Sequence, residues 1–459
     1  MALGCSRSRA RSTLDRGDGN PDGFANFIGP PARVLPDPRL SSPRRPMTRH
    51  VLALTFDGIL QPLGFSQVLR VAEGLSNEGF RYTLLSLERE ADLARHADVA
   101  AVQRRLARAG IEWIWAPYDT RGGATSIARN IARATRAASA VVRTDRPDVV
   151  HARAFHGGLV ARALHTMHGT KYVFDARSYW VDEQVEEGRR FTSERAYALA
   201  KRVERDLFER AAGIVTLTAL QADDVREGRL GAWHGRPVEV IPTCADYAEF
   251  RPRTPGAPRP AALDGVPEGA RVLGIVGALN RSYGAQETAA LAREVLARDP
   301  SFHLLVLTAQ GDEYRSLLRA HGVDEARTHI TRVSHDEMPR VLPFLDWGLL
   351  LLRSNFAKRA SMPTKLAEFF ACGVRPLQHG CNPEVSGWVA RAGTGLVLED
   401  LSPDGLASAA TRIVSADEAQ VSANEGRDRT GDHFSLEAGV VRYARLLREV
   451  TEGSIQRQS

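Results

Sequence analysis

Residues 50–80, "HVLALTFDGILQPLGFSQVLRVAEGLSNEGF", pass from strand to loop to helix in one short stretch. "HVLALTF" is a nearly continuous apolar run, the composition of a strand buried on both faces of a parallel sheet. "DGILQPLGFSQ" holds two glycines and a proline and reads as a loop. "VLRVAEGLSNEGF" carries apolar residues at helical spacing and closes at Gly79. The alternation continues: "RYTLLSL", "GIEWIWAP", "DVVHA", "KYVFDA", "GIVTLT" and "VEVIPT" read as strands, with helices near 124–143, 158–167 and 193–210. Strands alternating with helices imply right-handed βαβ units and a doubly wound α/β sheet.

Residues 251–270, "RPRTPGAPRPAALDGVPEGA", break that rhythm with prolines and glycines, as a linker does. The alternation then restarts with "VLGIVGAL", "FHLLVLTA", "THITRV", "WGLLLL" and "VRPLQHG", with helices expected at 285–297, 313–321, 335–343 and 363–372. The expected organisation is a disordered Arg/Pro-rich extension over 1–46, a first Rossmann-like domain over 47–250 and a linker over 251–268. A second such domain follows over 269–432, and a C-terminal helix over 433–459 packs back on the first domain. A length of 459 residues agrees with two domains.

Composition narrows the function classes. Hydrophobic content of 43% and charged content of 25% are those of a globular protein. The apolar run around "FLDWGLLLLR" is far shorter than the roughly 20 residues a membrane span needs. Cysteines 5, 244, 372 and 381 form no CxxC pair, so a zinc site or disulfide framework is not expected, and a reducing cytoplasm is the simpler setting. The net charge of +6 is concentrated in residues 1–46, which hold eight arginines against four aspartates. That segment lacks a signal-peptide core, and Met47 is an expected alternative start. The nearly neutral remainder argues against a nucleic-acid partner. Arg129, Arg133, Arg136 and Arg143 share one helix, which suits either a solvated face or a peripheral membrane contact.

Chemistry is expected in the loops at the carboxyl ends of the strands. Residues 361–373, "SMPTKLAEFFACG", hold one of only four lysines in the chain, three residues before their only acid. Ser361 or its neighbour is placed to cap this helix, Pro363 suits its first turn and Gly373 its end. Thr364 and Lys365 then lie at the positive end of the helix, with Glu368 one turn along on the same face. This arrangement suits a nucleoside diphosphate, with phosphates on the amides and Lys365 and ribose on Glu368. It also suits an ordinary capped helix with a surface ion pair. "GALNRSYGAQE" (277–287) offers Arg281 and two glycines before a helix, a second place for phosphate or merely a tight turn. At Gly64 the backbone can approach a ligand closely. His151, Arg153, Asp175, Arg177, Asp182 and Glu183 fall in two consecutive strand-end loops and gather at one rim. Within that group a structural Asp175–Arg177 pair, and a solvated helix start at Asp182 and Glu183, remain open.

"DGILQPLGFSQVLRVAEGLSNEGFRYTLLSLE", "PDVVHARAFHGG", "FDARSYWVDEQ", "VEVIPTCAD" and "SMPTKLAEFFACGVRP" together resemble, in order, the motifs of bacterial family 4 glycosyltransferases of the GT-B fold. The likeness runs from about Arg49 to residue 450. It implies two Rossmann-like domains facing across a cleft, the first on the acceptor side and the second binding a nucleotide-sugar. The implied activity is metal-independent transfer of a hexose to a hydroxyl acceptor with retention of configuration, in glycan or glycolipid biosynthesis. No cofactor or metal site is implied. The partners are a nucleotide-sugar donor and a saccharide or lipid-linked acceptor, met in the cytoplasm or at the inner face of the plasma membrane.

Carried over by position, Glu368 binds ribose, while Gly64, Arg281, Thr364 and Lys365 stand near the diphosphate. His151 and Arg153 lie where such enzymes reach the transferred sugar. Asp175 and Glu183 are the candidates for orienting the acceptor, and Arg177 and Asp182 line its side. One position departs from the pattern. Many members have a first glutamate eight residues before the ribose-binding one, holding the donor sugar, and here that position is Ala360. The loop "RSNFAKRAS", through backbone amides or Lys358, is the expected substitute. Two alternatives keep the fold: a nucleotide-sugar epimerase or hydrolase, and a catalytically degenerate transferase serving as a partner subunit. An NAD-dependent dehydrogenase is disfavoured by the missing glycine fingerprint.

Overall fold

The computed structural model describes residues 32–34, 49–191, 193–416 and 422–452. The first domain is built on a sheet of β1 (Ala32–Val34), β2 (Arg49–Thr55), β3 (Phe80–Glu88), β4 (Glu112–Pro117), β5 (Val149–Arg153), β6 (Tyr172–Asp175), β7 (Gly213–Thr216) and β8 (Val238–Val240). Its order is β1-β4-β3-β2-β5-β6-β7-β8, parallel except for β1, which runs antiparallel to β4. Residues 32–34 therefore depart from the disordered extension expected over 1–46. The rest of that expected extension, and Met47, lie outside the described residues.

Alternate residues of β2 enter two separate cores. Leu52 and Leu54 pack on one face of the sheet, Val51 and Ala53 on the other. This is why the strand reads as an unbroken apolar run. Helices α1 (Arg70–Asn77), α2 (Gly123–Asp145), α3 (Ala154–His168), α4 (Trp180–Glu186) and α5 (Glu194–Arg210) follow their strands.

The second sheet holds β9 (Arg271–Val276), β10 (Phe302–Leu307), β11 (Thr328–Thr331), β12 (Trp347–Leu350), β13 (Arg375–His379) and β14 (Leu396–Leu398), all parallel, in the order β11-β10-β9-β12-β13-β14. Helices α6 (Ala285–Arg298) and α7 (Thr364–Cys372) follow β9 and β12. The helix expected at 335–343 is instead three short turns, His335–Glu337, Met338–Val341 and Leu342–Phe344, interrupted at Pro339 and Pro343. Proline lacks the N–H that would continue each turn. Part of the expected linker belongs to the second core, where Leu263 and Val266 are buried.

The chain then returns. Helix α8 (Ala423–Phe434) lies on the second domain and α9 (Leu436–Glu452) on the first. Val440, Tyr443, Leu446, Leu447 and Val450 of α9 complete the core beneath β2. Close packing there requires glycine twice. A Cβ on Gly74 would meet Val440 Cγ2 at 2.4 Å, and one on Gly213 would meet Val450 Cγ2 at 2.7 Å.

Candidate functional site

Helix α7 begins without a side-chain cap. Pro363 occupies the cap position, and Ser361, expected there, makes no capping bond. Proline has no side-chain acceptor to offer, so the first-turn amides at Thr364 and Lys365 keep their positive end open. Gly373 closes the helix in the left-handed conformation at φ 71°. Residues Leu366–Cys372 of the helix are all buried, Glu368 among them at 9% exposure.

The Glu368 carboxylate makes no hydrogen bond to another described residue. Burial pushes its pKa up to about 7, against the pull of the Lys365 ammonium. Lys365 reaches the Val276 carbonyl oxygen and sits 4.3 Å above the Tyr283 ring. A Cβ on Gly277, whose φ is 101°, would stand 3.2 Å from Lys365 Nζ. The loop after β9 therefore wraps the lysine, and its glycine permits the approach.

The same loop faces the first domain. Arg281 donates to the Glu187 carbonyl oxygen at 2.6 Å, and Ser282 Oγ donates to Glu187 Oε1 at 2.8 Å. Lys358 donates to Glu183 Oε1 at 3.0 Å and to Ser282 Oγ at 2.9 Å, and lies 3.6 Å from Glu187 Oε1. The two Glu186 oxygens accept the backbone N–H groups of Phe356 and Ala357 at 2.9 and 3.0 Å. Phe356 also stacks on Tyr179, with ring centroids 5.0 Å apart. Ala360 is wholly buried and packs into the first domain's core cluster together with Ala357.

The rim of the first sheet is organised around Asp175. Sheet register sets Arg153 opposite Asp175. Tyr443 on α9 donates to Asp175 Oδ2 at 2.9 Å, and Arg177 to Oδ1 at 3.4 Å. His151 Nε2 and an Arg153 nitrogen lie 3.5 and 3.6 Å from Oδ2. Burial alone would raise the pKa of this carboxyl, but Arg177, His151 and Arg153 together hold it well below the usual range.

Asp175 is 0% exposed, so its carboxylate acts on its surroundings only through these neighbours. The structural Asp175–Arg177 pair left open above is formed, with Arg177 at a positive φ of 60°. Arg153 also donates from Nε to Asp57 Oδ2 at 3.1 Å, and Tyr82 bonds to His151 Nδ1 at 3.0 Å. His151 and Arg153 are nearly buried, at 7% and 8% exposure.

Two expected rim residues sit differently. Asp182 is held between α4 and α5, accepting from Tyr197 at 2.7 Å and Lys201 at 2.9 Å, and does not stand open at the acceptor side. Glu183, one residue on, points to Lys358 instead. At Gly64 the missing side chain makes room for the chain's own backbone, since a Cβ there would meet the Gly58 carbonyl oxygen at 2.1 Å. The approach expected between this glycine and a ligand is one between two turns of the loop.

That loop hangs on a residue the sequence reading passed over. Glu88, at the end of β3, accepts from the Ile59 and Leu60 amides at 2.9 and 3.4 Å and from Ser86 at 2.5 Å. An acid closing the strand "FRYTLLSLE", two residues after Ser86, was the available signal. The arginine helix is partly tied down as well. Arg129 bonds to Asp119, and Arg133 to the Pro117 carbonyl, while Arg136 and Arg143 are exposed. Among the described residues no helix is long and apolar enough to cross a membrane.

Residues 66–244 match the family described as glycosyl transferase 4-like domain. No curated protein matches the sequence. Among solved structures, sucrose-phosphate synthase from Thermosynechococcus elongatus superposes with a TM-score of 0.68 at 15% identity, over 88% of this chain and 100% of that one. WaaG, a glycosyltransferase involved in lipopolysaccharide biosynthesis, gives 0.60 at 18% identity over 86% and 99%. Anabaena HepE in complex with UDP and glucose gives 0.60 at 12% identity over 87% and 99%. Two facing parallel sheets of this kind are the GT-B fold.

Proposed function

We propose, from the match of residues 66–244 to the glycosyl transferase 4-like domain and from the GT-B fold, that the chain is a retaining hexosyltransferase using a nucleotide-sugar donor. The observation that carries the reading is Glu368. This nearly buried carboxylate, 9% exposed, takes no hydrogen bond from another described residue, so a ligand that supplies donors would be favoured there. It lies one turn above an uncapped helix N-terminus with Lys365 beside it, so ribose hydroxyls on Glu368 and a diphosphate on the amides and Lys365 would answer both needs. The HepE structure, which holds UDP and glucose on the same fold, supports this choice of donor class.

In this reading the departing diphosphate is stabilised by fixed cations and the helix dipole, without a divalent ion. The acceptor hydroxyl attacks on the face the diphosphate leaves, and a donor phosphate oxygen takes its proton. His151 and Arg153 stand at the transferred sugar. The acceptor is a saccharide or a lipid-linked saccharide met in the cytoplasm, with the exposed Arg136 and Arg143 available to an anionic membrane surface.

The test is thermal shift with UDP-, GDP- and dTDP-linked sugars, followed by transfer assays with and without EDTA. Glu368→Ala and Lys365→Ala should each abolish transfer in a protein that still folds. Near-normal turnover in both variants would overturn the site.

A second reading, a degenerate transferase acting as a partner subunit, is favoured by one observation. The position where many relatives hold the donor sugar is Ala360, wholly buried against the first domain. Failure of every nucleotide-sugar to raise the melting temperature would favour that reading.

A further inference from the structure

We propose that Lys358 is an additional ligand for the donor's diphosphate, and that the acidic segment 183–187 occupies the phosphate-binding groups until a nucleoside diphosphate displaces it. The proposal rests on the glycosyltransferase reading above and adds to it a residue and a competition internal to the chain.

The donor set is explicit. Within one cluster the second domain presents an ammonium (Lys358), a guanidinium (Arg281), a serine hydroxyl (Ser282) and two consecutive backbone N–H groups (Phe356 and Ala357). Cations, hydroxyls and paired amides are what phosphoryl oxygens require. Every one of these groups is answered by the first domain, and by one short segment of it. Glu183 and Glu187 hold Lys358, Glu187 also takes Ser282 and Arg281, and Glu186 takes both amides.

Lys358 is 3% exposed. A buried ammonium needs a counter-charge, and carboxylates supply it here. A diphosphate is the other anion of suitable charge that this fold would admit. Arg189 on the opposite side of Glu187, 2.7 Å from Oε2, leaves that carboxylate a partner when Lys358 changes hands. The alanine at 360 agrees with this arrangement. A glutamate there would bring yet another acid close to Lys358, whereas the methyl group of alanine packs into the first domain.

The two members of the ion pair should therefore affect binding in opposite directions. Titration calorimetry with UDP, GDP, ADP and dTDP on the full chain is the measurement. Glu187→Gln should tighten binding of the accepted nucleotide about tenfold by removing its competitor. Lys358→Ala should weaken it by about tenfold or more. Glu183→Gln, expected to tighten binding as well, serves as the second variant should Glu187→Gln fold poorly by circular dichroism. Equal weakening by the lysine and glutamate variants would make the cluster a simple closure contact and overturn the proposal while leaving the function intact. Unchanged affinity in all variants would also overturn it. If neither the parent nor any variant binds any of the four nucleotides, the functional reading falls and the proposal with it.

Discussion

The Tyr443 hydroxyl, on the C-terminal helix, donates a 2.9 Å hydrogen bond to the Asp175 carboxylate at the end of β6. The same ring lies 5.1 Å from that of His151. The last helix thus fixes the polar centre of the first domain as well as closing its core.

Tyr443→Phe removes one donor from a buried carboxylate and should lower stability by about 1–3 kcal/mol. Asp175→Asn should cost more, about 3–5 kcal/mol, because Arg153 and Arg177 then lose their counter-charge. The Asp175 pKa in the folded state lies below its unfolded value. Its stabilisation is therefore present above about pH 4 and is lost as pH falls through the folded value. Urea midpoints at pH 7 and pH 3 should show the Asp175→Asn deficit shrinking at the lower pH. A deficit independent of pH would contradict this account.

Glu368 behaves in the opposite sense. Its folded pKa of about 7 exceeds the unfolded value, so the folded state holds a proton that the unfolded chain has given up. Stability from this group falls as pH rises from about 4.5 to 7 and stays low above. Glu368→Gln should stabilise the ligand-free protein at pH 8, by on the order of 2–3 kcal/mol, and make little difference at pH 4. Melting temperatures at the two pH values decide it, and the gain at pH 8 should come with lost nucleotide binding, as is usual where a site is held against stability.

The loop over 57–64 should fail by two separate routes. Gly64→Ala drives a Cβ into the Gly58 carbonyl and should destabilise by about 2 kcal/mol or more. Glu88→Ala removes the acceptor of two loop amides and should cost about 1–3 kcal/mol. In the second variant the loop itself should become the first point of limited proteolysis. Unchanged cleavage there would show that Glu88 does not hold it.

The strand–helix alternation was legible because the inner strands, such as β2, β9, β10 and β12, are buried on two faces and read as apolar runs. The turns over 335–344 were misread as a helix because their apolar spacing is helical while the prolines at 339 and 343 interrupt it. β1 went unseen because its three residues pair at a sheet edge within a segment of low-hydrophobic composition. Among the site candidates, side-chain type and strand-end position put His151, Arg153, Asp175 and Arg177 in one network. They did not say which faces were covered. Asp182 turned into a helix pair because Tyr197 and Lys201, a helix away, offered closer partners. Glu186 and Glu187 were not singled out, since their partners are supplied from the other domain, about a hundred or more residues along the chain.

Because α9 supplies Val440, Leu447 and Val450 to the core that β2 begins, the first domain cannot finish folding as it leaves the ribosome. It must wait, with the face beneath its central strand uncovered, until nearly the whole chain has been synthesised. A nascent polypeptide stalled after the second domain would expose that face to chaperones, and the two halves are not separable by cutting at the linker.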